Sequence, residues 1–152
     1  MRIAFGADHA GFELKELLAR RAGELGHEVV DLGTLSTVSV DYPDFGFAVG
    51  RAVSAGQAER GVVVCGTGIG ISIAVNRVRG ARAGVATDLY SAQLMREHND
   101  ANVLALGARI TAIPLAMAIL DTFLTTPFAG GRHQKRVDKL DDAPPRAEGD
   151  HR

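Results

Sequence analysis

Residues 62–70 read VVVCGTGIG, and the fold of the rest of the chain can be predicted outward from them. Three valines and Cys65 form a short apolar run, which is typical of a buried strand. A glycine-rich turn follows, and the next residues, ISIAVN at 71–76, predict a helix. A strand, a glycine-rich turn and a helix in this order predict one unit of an α/β protein.

The same alternation runs along the chain. Strands are predicted at residues 3–5, 29–32, 62–65, 83–86 and 103–106, with amphipathic helices between them and after the last strand. Asp88 and Thr111 are predicted to be the N-caps of the fourth and fifth helices. Five such units predict a three-layer Rossmann-like α/β fold, in which a five-stranded parallel sheet carries helices on both faces.

The sequence after Pro127 has a different character. Gly130 and Gly131 predict a hinge, and Arg132, Arg136 and Lys139 then follow at the spacing of one helix face. Two arginines one turn apart can hold a phosphate group, although a solvated basic face is the simpler interpretation. We predict one domain over residues 1–140 that includes this C-terminal helical extension. Residues 141–152 are predicted to be a polar, disordered tail.

Composition narrows the class of protein. The chain has 152 residues, of which 46% are hydrophobic and 23% charged, as expected of one globular domain. A net charge of −1 argues against nucleic acid or an acidic membrane as the main partner. A single cysteine excludes an internal disulfide and fits a reducing compartment. Without a membrane-length apolar segment or a signal-peptide pattern, a cytoplasmic protein is expected.

Cys65 is predicted to lie where chemistry is possible. The backbone N–H groups of residues 66–70 and the positive end of the next helix dipole converge beside it. Both would stabilise a thiolate, and both would hold an oxyanion. A base next to such a loop suggests abstraction of a proton from carbon. A lone buried cysteine is more often a packing residue, so the function stays open on this feature alone.

Other polar residues follow predicted strands. In parallel sheets, ligands bind beyond the carboxyl ends of the strands, so Asp8, His9 and Asp88 should share one edge with Cys65. Asp8 and His9 also fit a capping or loop role, and His98 fits a residue that complements the dipole of its helix. Together these residues favour a ligand site over separate structural roles.

A dinucleotide-binding module fits part of the pattern. Gly66 and Gly68 follow a strand, and Asp88 lies near the spacing of a ribose-binding acid. Position 71, where the third glycine of that fingerprint belongs, is Ile71. A P-loop is excluded because no Gly-Lys-Ser/Thr follows.

Two further functions remain open. A cysteine hydrolase that pairs Cys65 with His98 would leave the basic C-terminal segment without a role. A phosphate-binding regulator without catalysis is the other. Metal binding is not indicated, because Asp8, His9, His98 and His133 match no usual ligand spacing.

Six motifs occur in order: GADHAGF at 6–12, DYP at 41–43, CGTGIGIS at 65–72, YSA at 90–92, HNDAN at 98–102 and GRHQ at 131–134. Together they resemble type B ribose-5-phosphate isomerases, a family related to the subunits of galactose-6-phosphate isomerase. The resemblance runs from Arg2 to about Leu140. It implies interconversion of an aldose phosphate and its ketose without metal or cofactor, in homodimers or homotetramers whose site is shared between subunits.

The resemblance also implies residue roles. Cys65 matches the base that moves a proton between C2 and C1, and His98 matches the residue that opens the furanose ring, with Asp8 as its helper. The hydroxyl of Thr67 lies close to the reacting oxygens. The implied substrate contacts are the backbone of Gly66, Thr67, Gly68, Ile69 and Gly70, the side chain of Asn99, and the phosphate contacts His9, Arg109, Arg132 and Arg136.

The implied substrate is ribose 5-phosphate, with ribulose 5-phosphate as product. Some family members lack the cysteine and use a glutamate further along the loop. Cys65 and Ile69 match the thiol form. Six-carbon substrates such as allose or galactose 6-phosphate remain the alternative.

Overall fold

The computed structural model describes residues 1–142, in which strands and helices alternate as predicted. The elements are β1 Arg2–Ala7, α1 Phe12–Glu24, β2 Glu28–Asp31, α2 Tyr42–Ser54, β3 Arg60–Cys65, α3 Ile69–Asn76, β4 Ala83–Val85, α4 Leu89–Glu97, β5 Val103–Gly107, α5 Ile113–Thr125, and α6 Gln134–Asp141. A single 3₁₀ turn, Gly131–His133, leads into α6. The predicted α/β class with a C-terminal helix is confirmed.

The five strands form one parallel sheet in the order β2-β1-β3-β5-β4. The middle strand β3 is paired on both sides, with Ala7 opposite Val64 and Gly107 opposite Cys65. The carboxyl ends of β1, β3 and β5 therefore meet at one edge, which we call the carboxyl edge. The opposite edge, where these strands begin, is the amino edge.

Side chains of β3 alternate between two cores because successive residues of a strand point to opposite faces. Val62 and Val64 pack with residues of α1, α4 and α5 on one face. Val63 and Cys65 pack with residues of α2 and α3 on the other. The predicted three-layer arrangement is confirmed, and Cys65 lies on the α2–α3 side.

The close packing of α2 on α3 depends on Gly46. A Cβ atom at this position would lie 2.8 Å from the Cβ of Ala74 and 2.8 Å from the carbonyl oxygen of Ile71. The same approach brings the ring of Tyr42 against Gly70, where an added Cβ would lie 2.7 Å from its Cζ. The two helices thus hold the start of α3 in place next to Cys65.

One predicted cap is confirmed and the other is wrong. The Asp88 carboxylate accepts the N–H of Ser91 at 2.8 Å, and this bond holds the pKa of Asp88 below its ordinary value. Thr111 does not cap α5, whose N-cap is Ala112. The amide of Thr111 bonds to Gly107 at 3.0 Å in a turn that directs the residue inward. Its hydroxyl is buried and has no hydrogen-bond partner among residues 1–142.

The C-terminal segment differs in detail from the prediction. Gly130 and Gly131 have φ angles of +61° and +55°, and Arg132 lies in the 3₁₀ turn rather than on the helix. Asp141, assigned to the tail, is the last residue of α6 and forms an ion pair with Arg82 at 2.9 Å. The rest of the predicted tail lies outside the described residues from position 143 onward.

In residues 1–142 no helix has the length and apolar character that crossing a membrane requires.

Replacing Gly46 with alanine should destabilise the protein. The extra methyl group overpacks the α2–α3 contact at a cost of about 1–3 kcal/mol. That cost exceeds the helix-propensity gain of about 1 kcal/mol. The matched control is Gly23→Ala in α1, because nothing lies within 4 Å of the Cβ position there. Urea unfolding should show a lower midpoint for Gly46→Ala and an equal or higher one for Gly23→Ala, and equal stabilisation of both would contradict this packing.

Candidate active site

Cys65 ends β3, and its side chain lies beneath the loop that begins α3. The sulfur accepts the N–H of Gly68 at 3.1 Å, and the residue is 5% exposed. Gly68 has φ +79°, and a Cβ atom there would lie 2.9 Å from the carbonyl carbon of Leu106. Only glycine fits this position, so the loop packs directly on β5 with one amide aimed at the sulfur.

The same loop presents further donors. The N–H groups of Gly70 and Ile71 are in the first turn of α3 and have no acceptor inside the helix. The N–H of Ile69 donates to the Thr67 hydroxyl oxygen at 3.3 Å, so the hydroxyl keeps its own proton for donation. With the positive end of the α3 dipole, these groups can hold an oxyanion beside Cys65.

Arg109 lies beside this loop. Its amide donates to the carbonyl of Gly66 at 3.0 Å, and the amide of Ala108 donates to that of Cys65 at 2.8 Å. A Cβ atom on Gly66 would lie 3.3 Å from Nη1 of Arg109. The guanidinium is exposed and has no carboxylate partner among residues 1–142. A cation is therefore available next to the thiol.

Asp8 and His9 lie at the same edge, as predicted. The Asp8 amide donates to Val64 at 3.2 Å, and its carboxylate accepts the Gly11 N–H at 3.0 Å before α1. Nδ1 of His9 lies 3.2 Å from the amide nitrogen of Val40. When Nδ1 accepts that N–H, the proton of a neutral ring is on Nε2, which can donate to an anion.

The other four predicted side chains, His98, Asn99, Arg132 and Arg136, lie away from Cys65 in the same chain. His98 follows α4, and the turn after it leads into the start of β5. Within that turn, the Asn102 carbonyl accepts the Gly61 N–H at 2.9 Å, at the start of β3. Four residues of strand, or about 13 Å, separate that point from Cys65. His98 and Asn99 therefore belong to the amino edge.

A network of ion pairs fixes the turn that carries His98 and Asn99. Asp100 has φ +44°, and its carboxylate bonds to Arg96 at 2.9 Å and to Arg82 at 3.1 Å. Arg96 is 2% exposed and also donates to the carbonyls of Ala101 and Thr126. Arg82 in turn holds Asp141 at the end of α6. The network ties α4 and α6 to the turn before β5, and no local sequence pattern indicated it.

The stacking of His133 on His98 is the second feature that the sequence did not indicate. Its ring stacks on the ring of His98, with centroids 4.2 Å apart and planes 11° from parallel. Burial lowers the pKa of His133, and the neighbouring groups of His98, Arg132 and Arg136 lower it further. Arg132 and Arg136 are exposed and have no carboxylate partner in the described chain. Two imidazoles and two free cations thus gather at the amino edge.

The two groups of residues supply complementary chemistry. At the carboxyl edge are a thiol, oxyanion donors and one cation. At the amino edge are two imidazoles, an amide side chain and two cations. Among residues 1–142, no three His, Cys, Asp or Glu side chains lie close enough together to hold a metal ion. The chemistry that these groups can perform is proton transfer on a phosphorylated substrate.

Comparison with known proteins agrees with the chemistry of the residues at the two edges. The Ribose/Galactose Isomerase family model matches residues 3–140. Ribose-5-phosphate isomerase B of Escherichia coli K12 is 48% identical over 139 residues, 91% of this chain and 93% of that protein. The Clostridium thermocellum ribose-5-phosphate isomerase B structure is 52% identical with a TM-score of 0.92, covering 93% of this chain and 96% of that one. The Thermotoga maritima structure is 48% identical with a TM-score of 0.90, covering 93% and 97%. This chain belongs to the ribose/galactose isomerase family.

Proposed function

We propose that this protein interconverts ribose 5-phosphate and ribulose 5-phosphate through an enediolate, with Cys65 as the base. The observation that carries the proposal is the Cys65 sulfur, 3.1 Å from the Gly68 amide at the start of α3, in a chain of this family. The Gly68 amide holds the sulfur beside the oxyanion donors of the loop, and a thiolate sulfur is the form of cysteine that accepts a proton. A reduced cysteine base also keeps the cytoplasm as the predicted location.

The reaction then needs only proton transfers. The Cys65 thiolate takes the proton from C2 of the open-chain aldose, and negative charge develops on the oxygen at C1. The amides of Gly70 and Ile71 stabilise that oxygen. The Thr67 hydroxyl is suited to pass the proton from the oxygen at C2 to the oxygen at C1. Return of the first proton from sulfur to C1 completes the ketose, so no electron acceptor, metal or cofactor is required.

The substrate also has to be opened and held. We assign ring opening to His98, with Asn99 as a sugar contact. Phosphate binding is assigned to His9 and Arg109 at the carboxyl edge and to Arg132 and Arg136 at the amino edge. Asp8 is assigned as the helper of His98.

We propose further that each site is shared by two chains, as a dimer or as part of a tetramer. The two edges of one sheet are too far apart for Cys65 and His98 of the same chain to meet on one sugar. A groove of about 690 Å³ lies at the amino edge next to Asn99, and Cys65 is not among its lining residues. Ile69 and Ile73 on α3 are more than half exposed beside Cys65, as expected of a face that another chain covers.

The proposal is tested by assaying the purified protein with five- and six-carbon aldose phosphates. Turnover of ribose 5-phosphate is expected to exceed that of allose and galactose 6-phosphates. Preference for a six-carbon sugar would instead identify the protein as an isomerase of six-carbon aldose phosphates. Binding of a sugar phosphate without turnover would support a non-catalytic phosphate-binding module. Protection of the protein from unfolding by NADH would support a nucleotide-binding module.

Cys65→Ser should lose turnover while it keeps substrate binding. The serine hydroxyl can still accept the Gly68 N–H, but it is a much weaker base, and losing a general base costs about 10²- to 10⁴-fold in rate. Steady-state kinetics measure kcat, and calorimetry with ribose 5-phosphate measures binding. Near-normal kcat in a folded variant would overturn the assignment of the base.

Arg136→Ala should raise KM for ribose 5-phosphate by about 10- to 100-fold, because one charge-assisted hydrogen bond to phosphate is lost. Lys139→Ala is the matched control, since Lys139 is another exposed cation on α6 that is not assigned to the site. The control should leave KM within about twofold of the original value. Equal effects of the two substitutions would indicate general electrostatic attraction rather than a phosphate contact.

Turnover should be unchanged after prolonged treatment with a chelator such as EDTA, because no step of the proposed mechanism uses a metal ion. Activity is measured before and after dialysis, and then again with added divalent cations. Loss on dialysis that divalent cations restore would contradict the mechanism.

A further inference from the structure

The rings of His98 and His133 form a near-parallel stack. Their centroids are 4.2 Å apart and their planes differ by 11°. Neither nitrogen of the His98 ring donates or accepts a hydrogen bond within residues 1–142. The stack on His133 is therefore the specific contact that orients the ring. Both nitrogens are left free in the ring plane, where a sugar hydroxyl can reach them.

His133 is held firmly enough to act as a platform. It is 8% exposed, and its amide donates to the carbonyl of Gly130 at 3.0 Å within the 3₁₀ turn. The amide of Ala129 donates to the carbonyl of Glu97, the residue before His98, at 3.0 Å. The segment that carries His133 is therefore bonded directly to the end of the helix that carries His98.

The stack also affects the protonation of His133. Two stacked imidazolium ions would repel each other at this separation, which favours the neutral form of His133. Burial and the positive groups around it lower the pKa of His133, while Glu97 acts weakly in the opposite direction. The neutral form of His133 is therefore the favoured platform under the ring of His98.

We propose that His133 is a positioning residue for ring opening, and that its imidazole face holds the ring of His98 in the plane from which His98 exchanges protons with the sugar. This inference rests on the proposed function. In ring opening the proton leaves the hydroxyl at C1, the bond between C1 and the ring oxygen breaks, and that oxygen gains a proton. Proton gain and loss balance, so one correctly oriented imidazole can serve both.

The test compares His133→Phe and His133→Ala on two substrates. Phenylalanine keeps a flat ring under His98 but has no nitrogen, whereas alanine removes the platform. Ribose 5-phosphate closes to a furanose and needs ring opening. Erythrose 4-phosphate cannot close to a furanose, because its fourth oxygen carries the phosphate. His27→Phe, at a histidine near the N-terminus that no proposed step uses, is the control for loss of an imidazole.

On ribose 5-phosphate, His133→Ala is expected to lose at least about tenfold in kcat, because the misplaced ring no longer meets the sugar correctly. His133→Phe is expected to stay within about threefold of the original protein. On erythrose 4-phosphate both variants should change by less than about threefold, since the proton transfer at Cys65 does not depend on the stack.

Equal losses in the phenylalanine and alanine variants would overturn the inference, because His133 would then act through its nitrogens. Equal losses of His133→Ala on both sugars would overturn it as well, since that is the behaviour of a purely structural residue. If the original protein does not turn over erythrose 4-phosphate, the inference is tested on ribose 5-phosphate alone. The limits stay the same, a loss of at least about tenfold in kcat for His133→Ala and less than about threefold for His133→Phe. Failure of the original protein on ribose 5-phosphate itself would instead refute the proposed function.

Discussion

The hydrogen bond from the Gly68 amide to the Cys65 sulfur is the interaction on which the rest of the site depends. It exists because Gly68 adopts a left-handed conformation against the end of β5, where a side chain would collide with Leu106. The register that pairs Cys65 with Gly107 brings those two strand ends together. The parallel sheet therefore does more than support the loop, since its pairing determines where the thiol and the amide meet.

A parallel sheet also separates residues at the ends of strands from residues at the ends of the helices that follow them. A helix that follows a strand starts at the carboxyl edge and returns to the amino edge, so Cys65 at a strand end and His98 at a helix end lie on opposite sides of one chain. The ion pairs of Asp100 with Arg82 and Arg96 stabilise the His98 end as a rigid unit. The proposed sharing of each site by two chains follows from this separation, because in a symmetric pair the carboxyl edge of one chain can face the amino edge of the other.

Much of this could be predicted from local sequence patterns. The alternation of strand and helix predicted the α/β fold, and the strand-end rule placed Asp8, His9 and Cys65 on one edge. The same rule would have placed His98 on the other edge, because it ends a helix. Thr111 fails as a cap because the turn from Gly107 directs it inward. The stack of His98 on His133 joins residues 35 positions apart, and no local pattern encodes such a contact.

Mixing two inactive variants tests the central claim, that each site is built from two chains, most directly. Cys65→Ser and His98→Ala chains, carrying different tags, are unfolded, mixed in equal amounts and refolded together. Random pairing makes half of the dimers mixed, and each mixed dimer has one intact site, so about a quarter of the original activity should return. Activity no higher than the average of the two variants refolded separately would contradict the account.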